Sequence, residues 1–316
     1  MNAWTTRAVT ASAAALALAG CGSSEGAAAD GGDGLTVVAG FYPLEWAAQR
    51  VAGDRADVSS LTPAGAEAHD LELAPQDVAA VAEADLLVYL EGFQPALDEA
   101  AQNEAGDTAW DAGRAADLTR IADEHAHEGE TAEEHAEHAE EGEATDPHFW
   151  LDPVRLASVG DALAERLAEA DPDGAATYEQ NAAALRTDLE ALDAEMQAGL
   201  AGCAVDTLVT GHDAFGYLGD RYGLEVVGIS GLSPSAEPSP AAQAEISELV
   251  RERGVTTVYT ETLVDPAVAE TVATEAGVRT AVLDPLEGLT DESAGSDYLE
   301  VMRANLATLQ EGQSCS

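Results

Sequence analysis

The sequence predicts an α/β protein with two parallel-sheet lobes joined by one long, rigid helix. Three observations point there: β-rich runs alternate with helical text from Leu35 onward, the same alternation returns from Thr207, and an apolar stripe at helical spacing separates the two blocks. In the first block LTVVAG (35–40), DVSSLT (57–62) and DLLVYLEG (85–92) read as strands, with PLEWAAQRVAG and PQDVAAVAEA between them as helices. In the second, TLVTG (207–211), EVVGIS (225–230), TTVYTET (256–262) and TAVLDP (280–285) are the strands. AFGYLGDRYG, AAQAEISELVRERG and PAVAETVATEAG are the helical texts between them. Within residues 174–201 the stripe is Tyr178, Ala182, Leu185, Leu189, Leu192, Met196 and Leu200. At 1.5 Å per residue this makes a strut of about 40 Å. A coiled-coil dimer seam is the competing reading of the same stripe, and a monomer is the expectation.

Composition narrows the function. The chain has 316 residues, 13 basic side chains against 60 acidic, and a formal charge of −47, with every basic residue an Arg. Phosphate binding needs a basic footprint, so no nucleic-acid partner is expected. Cations suit the charge, although solubility alone also accounts for it.

The N-terminus carries its own signals. Arg7 precedes an Ala-rich apolar run, 8–20, too short to span a bilayer but of the length of a signal-peptide core. It ends in Leu18-Ala19-Gly20-Cys21, which resembles the bacterial lipobox, with Cys21 as the lipidated residue. The expected organisation is a signal peptide (1–20), a flexible tether (21–34), an N-terminal lobe (35–173), the linking helix (174–201) and a C-terminal lobe (202–316). Cys203 and Cys315 are the pair left over, most simply one disulfide in an exported protein. Thiolate metal ligation is the competing use. Residues 123–146 hold His125, His127, His135 and His138 among Glu and Asp, with no apolar residue larger than Ala, and are expected to be a surface loop that collects metal weakly.

The other three histidines stand where ligands collect. His69 follows a predicted strand within a Pro/Gly turn, His212 directly follows TLVTG, and Asp284 directly follows TAVL. Ligands in parallel sheets gather outside the carboxyl ends of strands. His148 lies in the Pro-bracketed turn DPHFWLDP. Three imidazoles and a carboxylate make a four-coordinate shell that favours zinc over manganese. Phe149, Trp150 and Phe215 stand beside these residues and would exclude water, and Asp146, Asp152 or Asp213 could accept a second imidazole N–H.

At AGAEAHDLELAP, DPHFWLDP, TGHDAFGYLGDRYGL, SPSAEPSP, VYTETLVDP and AVLDPLEGL, in that order, the chain resembles the metal-binding solute-binding lipoproteins of ABC transporters, specifically the ZnuA-like zinc group. The resemblance covers essentially the whole chain after the tether. It implies a metal held in the cleft between two lobes by His69, His148 and His212, with Asp284 as the preferred fourth ligand and Glu67 or water as the alternatives. It also places Glu237 and Glu261 in motifs near strand ends as supporting groups. His212 stands where manganese-preferring members carry Glu, which leans the reading to zinc, with manganese or iron as alternatives. The implied function is to capture Zn2+ at the outer face of the cell membrane and hand it to the permease of an ABC importer. A surface adhesin with incidental metal binding is a further reading. A zinc hydrolase is the rival from another class, but the chain has neither HExxH nor GxSxG, and an available carboxylate would close the fourth position.

Overall fold

The computed structural model describes residues 34–121, 145–236 and 238–316, and residues 34–316 form one compact unit. Cys21, the signal peptide, nearly all of the tether, His125, His127, His135, His138 and Glu237 lie outside the described residues.

Eight strands form two sheets of four. The first comprises β1 (Leu35–Ala39), β2 (Ala56–Ser60), β3 (Leu86–Tyr89) and β4 (Ala109–Asp111) in the order β2-β1-β3-β4. The second comprises β5 (Thr207–Thr210), β6 (Glu225–Gly228), β7 (Thr257–Thr260) and β8 (Arg279–Val282) in the order β6-β5-β7-β8. Every pairing is parallel. The lobes therefore repeat one topology: the first strand of each is central, and the chain crosses over it to reach the third. A ligand-binding crevice is expected at that reversal of winding direction.

Strand alternation sorts the core. Val37, Ala39, Leu86 and Val88 face a large cluster shared with the linking helix, while Val38 and Leu87 face a smaller one beneath the helix Pro75–Glu83. The second sheet repeats this, with Leu208 and Tyr259 in the shared cluster and Val209 and Val258 in an outer one. Because the shared cluster runs through both lobes, the molecule has a continuous core.

The long helix spans Ala175–Leu200, and all seven residues of its predicted stripe are buried. It packs against Pro153–Ala170 and Tyr298–Gly312 as well as against Tyr42–Ala52, so its apolar face is covered within the chain. This intramolecular cover is what the coiled-coil reading lacked. Neither Pro153–Ala170 nor Tyr298–Gly312 is among the predicted elements. Each announces its start with an Asp: Asp152 accepts from the Val154 and Arg155 amides, and Asp297 from that of Glu300. Strand β4 was also not predicted, since a three-residue AWD edge has no period to read.

Cys203 and Cys315 form a disulfide. Backbone bonds from Ala204 to the Ser314 carbonyl and from Val205 to that of Gln313 run beside it, so the C-terminal tail is fastened to the segment entering β5. Pairing each cysteine with the other removes both from consideration as metal ligands.

Candidate metal centre

Four side chains converge between the lobes: His69, His148, His212 and Glu287, each offering one ligand atom, all within 4.8 Å of one another. Four of the donor spacings suit a tetrahedral zinc shell. Zinc bonds of 2.0–2.1 Å require about 3.3–3.4 Å between donors. The His148 and His69 Nε2 atoms are 3.3 Å apart. Glu287 Oε1 lies 3.1 Å from His212 Nε2 and 3.5 Å from both His69 Nε2 and His148 Nε2. The other Glu287 oxygen is buried and accepts no N–H among the described residues, an arrangement that a cation beside it would relieve.

Each of these side chains is aimed by its neighbours. His212 comes two residues after β5, where Gly211 lets the chain pass Glu261: a Cβ on Gly211 would meet Glu261 Oε1 at 2.6 Å. Glu261, just beyond β7, accepts the His212 backbone N–H at 2.8 Å and contacts its ring Nδ1 at 2.6 Å. Asp146 does the same for His148, accepting the backbone N–H at 2.9 Å and contacting Nδ1 at 2.9 Å. A carboxylate on Nδ1 fixes the tautomer that presents Nε2 to a metal. His69 is set by its backbone. Buried Gln94 donates to Thr62 Oγ1 and to the Ala68 carbonyl, while Glu67 accepts the amides of His69 and Asp70.

The fourth position corrects the sequence-based expectation. Asp284 is not in the group; its Oδ1 accepts the Leu286 amide at 2.8 Å and its Oδ2 accepts the Ser293 hydroxyl at 3.0 Å. Asn305 binds the Asp284 backbone on both sides, and Trp150 Nε1 donates to the Pro285 carbonyl. The turn so held places Leu286 at φ +61°, a left-handed conformation that a leucine seldom adopts. Asp284 thus builds the turn, and the turn delivers Glu287. Glu67 is also outside the group, and its two oxygens accept the backbone N–H groups of His69 and Asp70. Of the three Asp residues considered for the imidazoles, Asp146 reaches a ring, while Asp152 caps a helix.

The surroundings are dry and aromatic. Phe149, Trp150 and Phe215 are fully buried, with the Trp150 ring 5.1 Å from that of His148. Phe93, unnoticed in the sequence, stands edge-on to His69 at 4.5 Å. The His69 side chain retains 10% exposure, against 1% or less for the other three, so access is from its side. There a cavity of about 500 Å3 opens, bordered by Glu67 and Asp70 from one lobe and by Gly211, Glu261 and Asp265 from the other. Among the described residues its lining holds four carboxylates and no Arg.

Electrostatics among these four side chains are those of paired ions. Burial disfavours charge on His212, but Glu261 and Glu287 outweigh it and hold the imidazole well above its ordinary pKa. His148 is raised less, burial being offset by Asp146 and Glu287. Glu287 is itself held well below the carboxylate range by the three histidines, against the effect of burial. For His69 burial dominates and lowers the pKa, and burial pushes Glu67 up to about 7. The donor set, three imidazoles and one carboxylate, suits a borderline divalent ion.

The family model for ZnuA, zinc-uptake complex component A, periplasmic, matches residues 37–312. The chain belongs to the ZnuA family. Among ZnuA-like relatives, the zinc-binding lipoprotein AdcA of Streptococcus pneumoniae serotype 4 is 39% identical over 310 residues, covering 95% of this chain and 59% of the relative. The high-affinity zinc uptake system protein ZnuA of Bacillus subtilis is 35% identical over 303 residues, covering 94% of this chain and 93% of the relative. The Zn(II)-bound ZnuA-like domain of S. pneumoniae AdcA superposes with a TM-score of 0.70 at 35% identity, over 89% of this chain and 99% of that one. This chain thus spans only about three fifths of the AdcA relative's length. The shared ZnuA fold includes both lobes and the strut between them.

Proposed function

We propose that the chain captures Zn2+ outside the cytoplasm and delivers it to the permease of an ABC importer, with His69, His148, His212 and Glu287 as ligands. The observation that carries this is the set of donor spacings of 3.1–3.5 Å around Glu287 Oε1, the edge length of a zinc tetrahedron. The zinc-binding names of the relatives and membership of a solute-binding family support the same cargo. Zinc is the cargo here and no bond is made or broken. With a carboxylate in the fourth position no coordination site is left for a reactive hydroxide, which favours holding over hydrolysis. Lipid anchoring through Cys21 at the outer face of the membrane, with weak collection of zinc by the histidines at 125–138, completes the proposal.

The test is calorimetric zinc titration of the metal-stripped chain, with manganese in parallel. One tight zinc site and far weaker manganese binding is the expected result. Equal or tighter manganese binding would overturn the cargo, and the absence of any tight site would overturn the ligand set. Mass spectrometry of the membrane-extracted protein checks the anchor, the expected result being a diacylglyceryl group on Cys21.

A further inference from the structure

The geometry points to Arg120 as a positioning residue that ties His148 to the C-terminal lobe, so that the orientation of this ligand depends on the two lobes being together. The inference rests on the reading that His148 holds zinc.

Asp146, 1% exposed, divides its two oxygens between two tasks. Oδ1 faces the backbone and ring nitrogens of His148, while Oδ2 accepts from Arg120 Nε at 3.2 Å. The Arg120 carbonyl also accepts the Asp146 amide at 3.0 Å, beside the antiparallel bridge between Ile121 and Thr145. On its other side the guanidinium leaves its own lobe. Its Nη1 donates to Asp220 Oδ1 at 2.9 Å, on the C-terminal-lobe helix Gly216–Tyr222. The Tyr217 hydroxyl of that helix accepts the Thr119 and Arg120 amides at 3.2 and 3.3 Å. The start of this helix is shaped for the contact. A Cβ on Gly216 would meet Asp146 Oδ2 at 2.6 Å and would overlap the Arg120 guanidinium.

A single planar group therefore spans from the carboxylate that aims His148 to a carboxylate of the opposite lobe. A guanidinium can donate along two edges at once, which an ammonium does far less well. Were the lobes to separate, Asp220 and Tyr217 would leave with the second lobe and Arg120 would lose that side of its fork. Asp146 would then be held less firmly, and so would the imidazole it orients. Domain separation would in this way loosen a zinc ligand without touching the metal.

The test compares Arg120→Gln, Arg120→Lys and Asp220→Asn with the wild-type chain, using zinc release into a chelator, the visible spectrum of the Co(II)-loaded protein and thermal unfolding of the metal-free protein. Groups that orient a ligand typically change metal affinity 10–100-fold, so Arg120→Gln should release zinc at least about tenfold faster and shift the Co(II) bands. Arg120→Lys should recover part of the loss. Asp220→Asn, at a side chain 64% exposed, should speed release by about threefold or more with the Co(II) bands retained. Wild-type release rates in Asp220→Asn, or wild-type release rates and spectra in Arg120→Gln, even with a lowered unfolding temperature, would overturn the inference. Should Arg120→Gln fail to fold, the release rate of Asp220→Asn alone decides. A wild-type chain without tight zinc binding would instead count against the proposed function.

Discussion

His212 and Glu287 stand two and five residues beyond strand ends of the second sheet, whereas His69 stands nine residues beyond β2 and His148 comes after a much longer excursion from β4. The C-terminal half of the site is consequently an extension of the sheet, with Glu261 supplied by a third strand end. The N-terminal half is assembled from loops and held by side chains that fasten backbone: Gln94 on Ala68, Glu67 on His69, Asp146 on His148. Short connections from a sheet leave little freedom, while loops keep theirs unless hydrogen bonds remove it. The comparison teaches that one lobe presents its pair of side chains from sheet ends, while the other fixes its pair through hydrogen bonds from neighbouring side chains.

The largest expected effect tests whether Glu287 belongs to the rigid half as a ligand. Glu287→Gln should lower zinc affinity by about a hundredfold or more, beyond the range of groups acting through a ligand, whereas Asp284→Asn should stay within that range. A competition titration against a zinc chelator measures both. The reverse ranking would return the fourth position to Asp284.

The next effect concerns how the rigid half is aimed. Glu261→Gln keeps the shape but weakens the hold on His212 Nδ1 and should cost about ten- to a hundredfold in zinc affinity. A loss below threefold would mean that the sheet end positions His212 unaided.

Protons should separate His69 from the other two imidazoles. With neighbouring carboxylates holding His212 well above and His148 above the ordinary imidazole pKa, zinc binding should displace protons from these rings. His69, lowered by burial, should contribute the least. Zinc affinity should therefore rise with pH through neutrality, by about 1.4 kcal/mol per displaced proton per pH unit, and fall as pH drops. Calorimetry in two buffers of different ionisation heat counts the protons, with about one to two expected. Zero would contradict the paired-ion description of His212.

The smallest effect on zinc should come from the far end of the C-terminal lobe. The double variant Cys203→Ser, Cys315→Ser should lose about 2–4 kcal/mol of stability in urea unfolding and keep zinc affinity within about twofold. A larger loss of affinity would show that the tail helps hold the sheet end in place.

Much of this arrangement was legible. The period-two strands and the stripe from Tyr178 to Leu200 carry their own structural meaning, because alternation and 3.6-residue spacing decide which side chains can share a face. His212 was readable as a ligand position because it follows its strand directly. Glu287 was present in the text DPLEGL but was passed over in favour of Asp284, since nothing in that string reveals that Leu286 turns left-handed or that Asp284 folds back on its amide. Phe93 and Arg120 were equally silent, each gaining its role from a partner outside its own segment.

By itself the sequence determined the two α/β blocks, the strut, the cysteine pair and three of the four residues that meet between the lobes, because each rests on local spacing or on a scarce residue type. Only the tertiary structure decided which carboxylate completes the group, which carboxylates aim the imidazoles and which side of the site opens to solvent. Those are contacts between segments as far apart in the chain as His69 and Glu287, and their geometry is set by how turns and sheets pack, which no local pattern encodes.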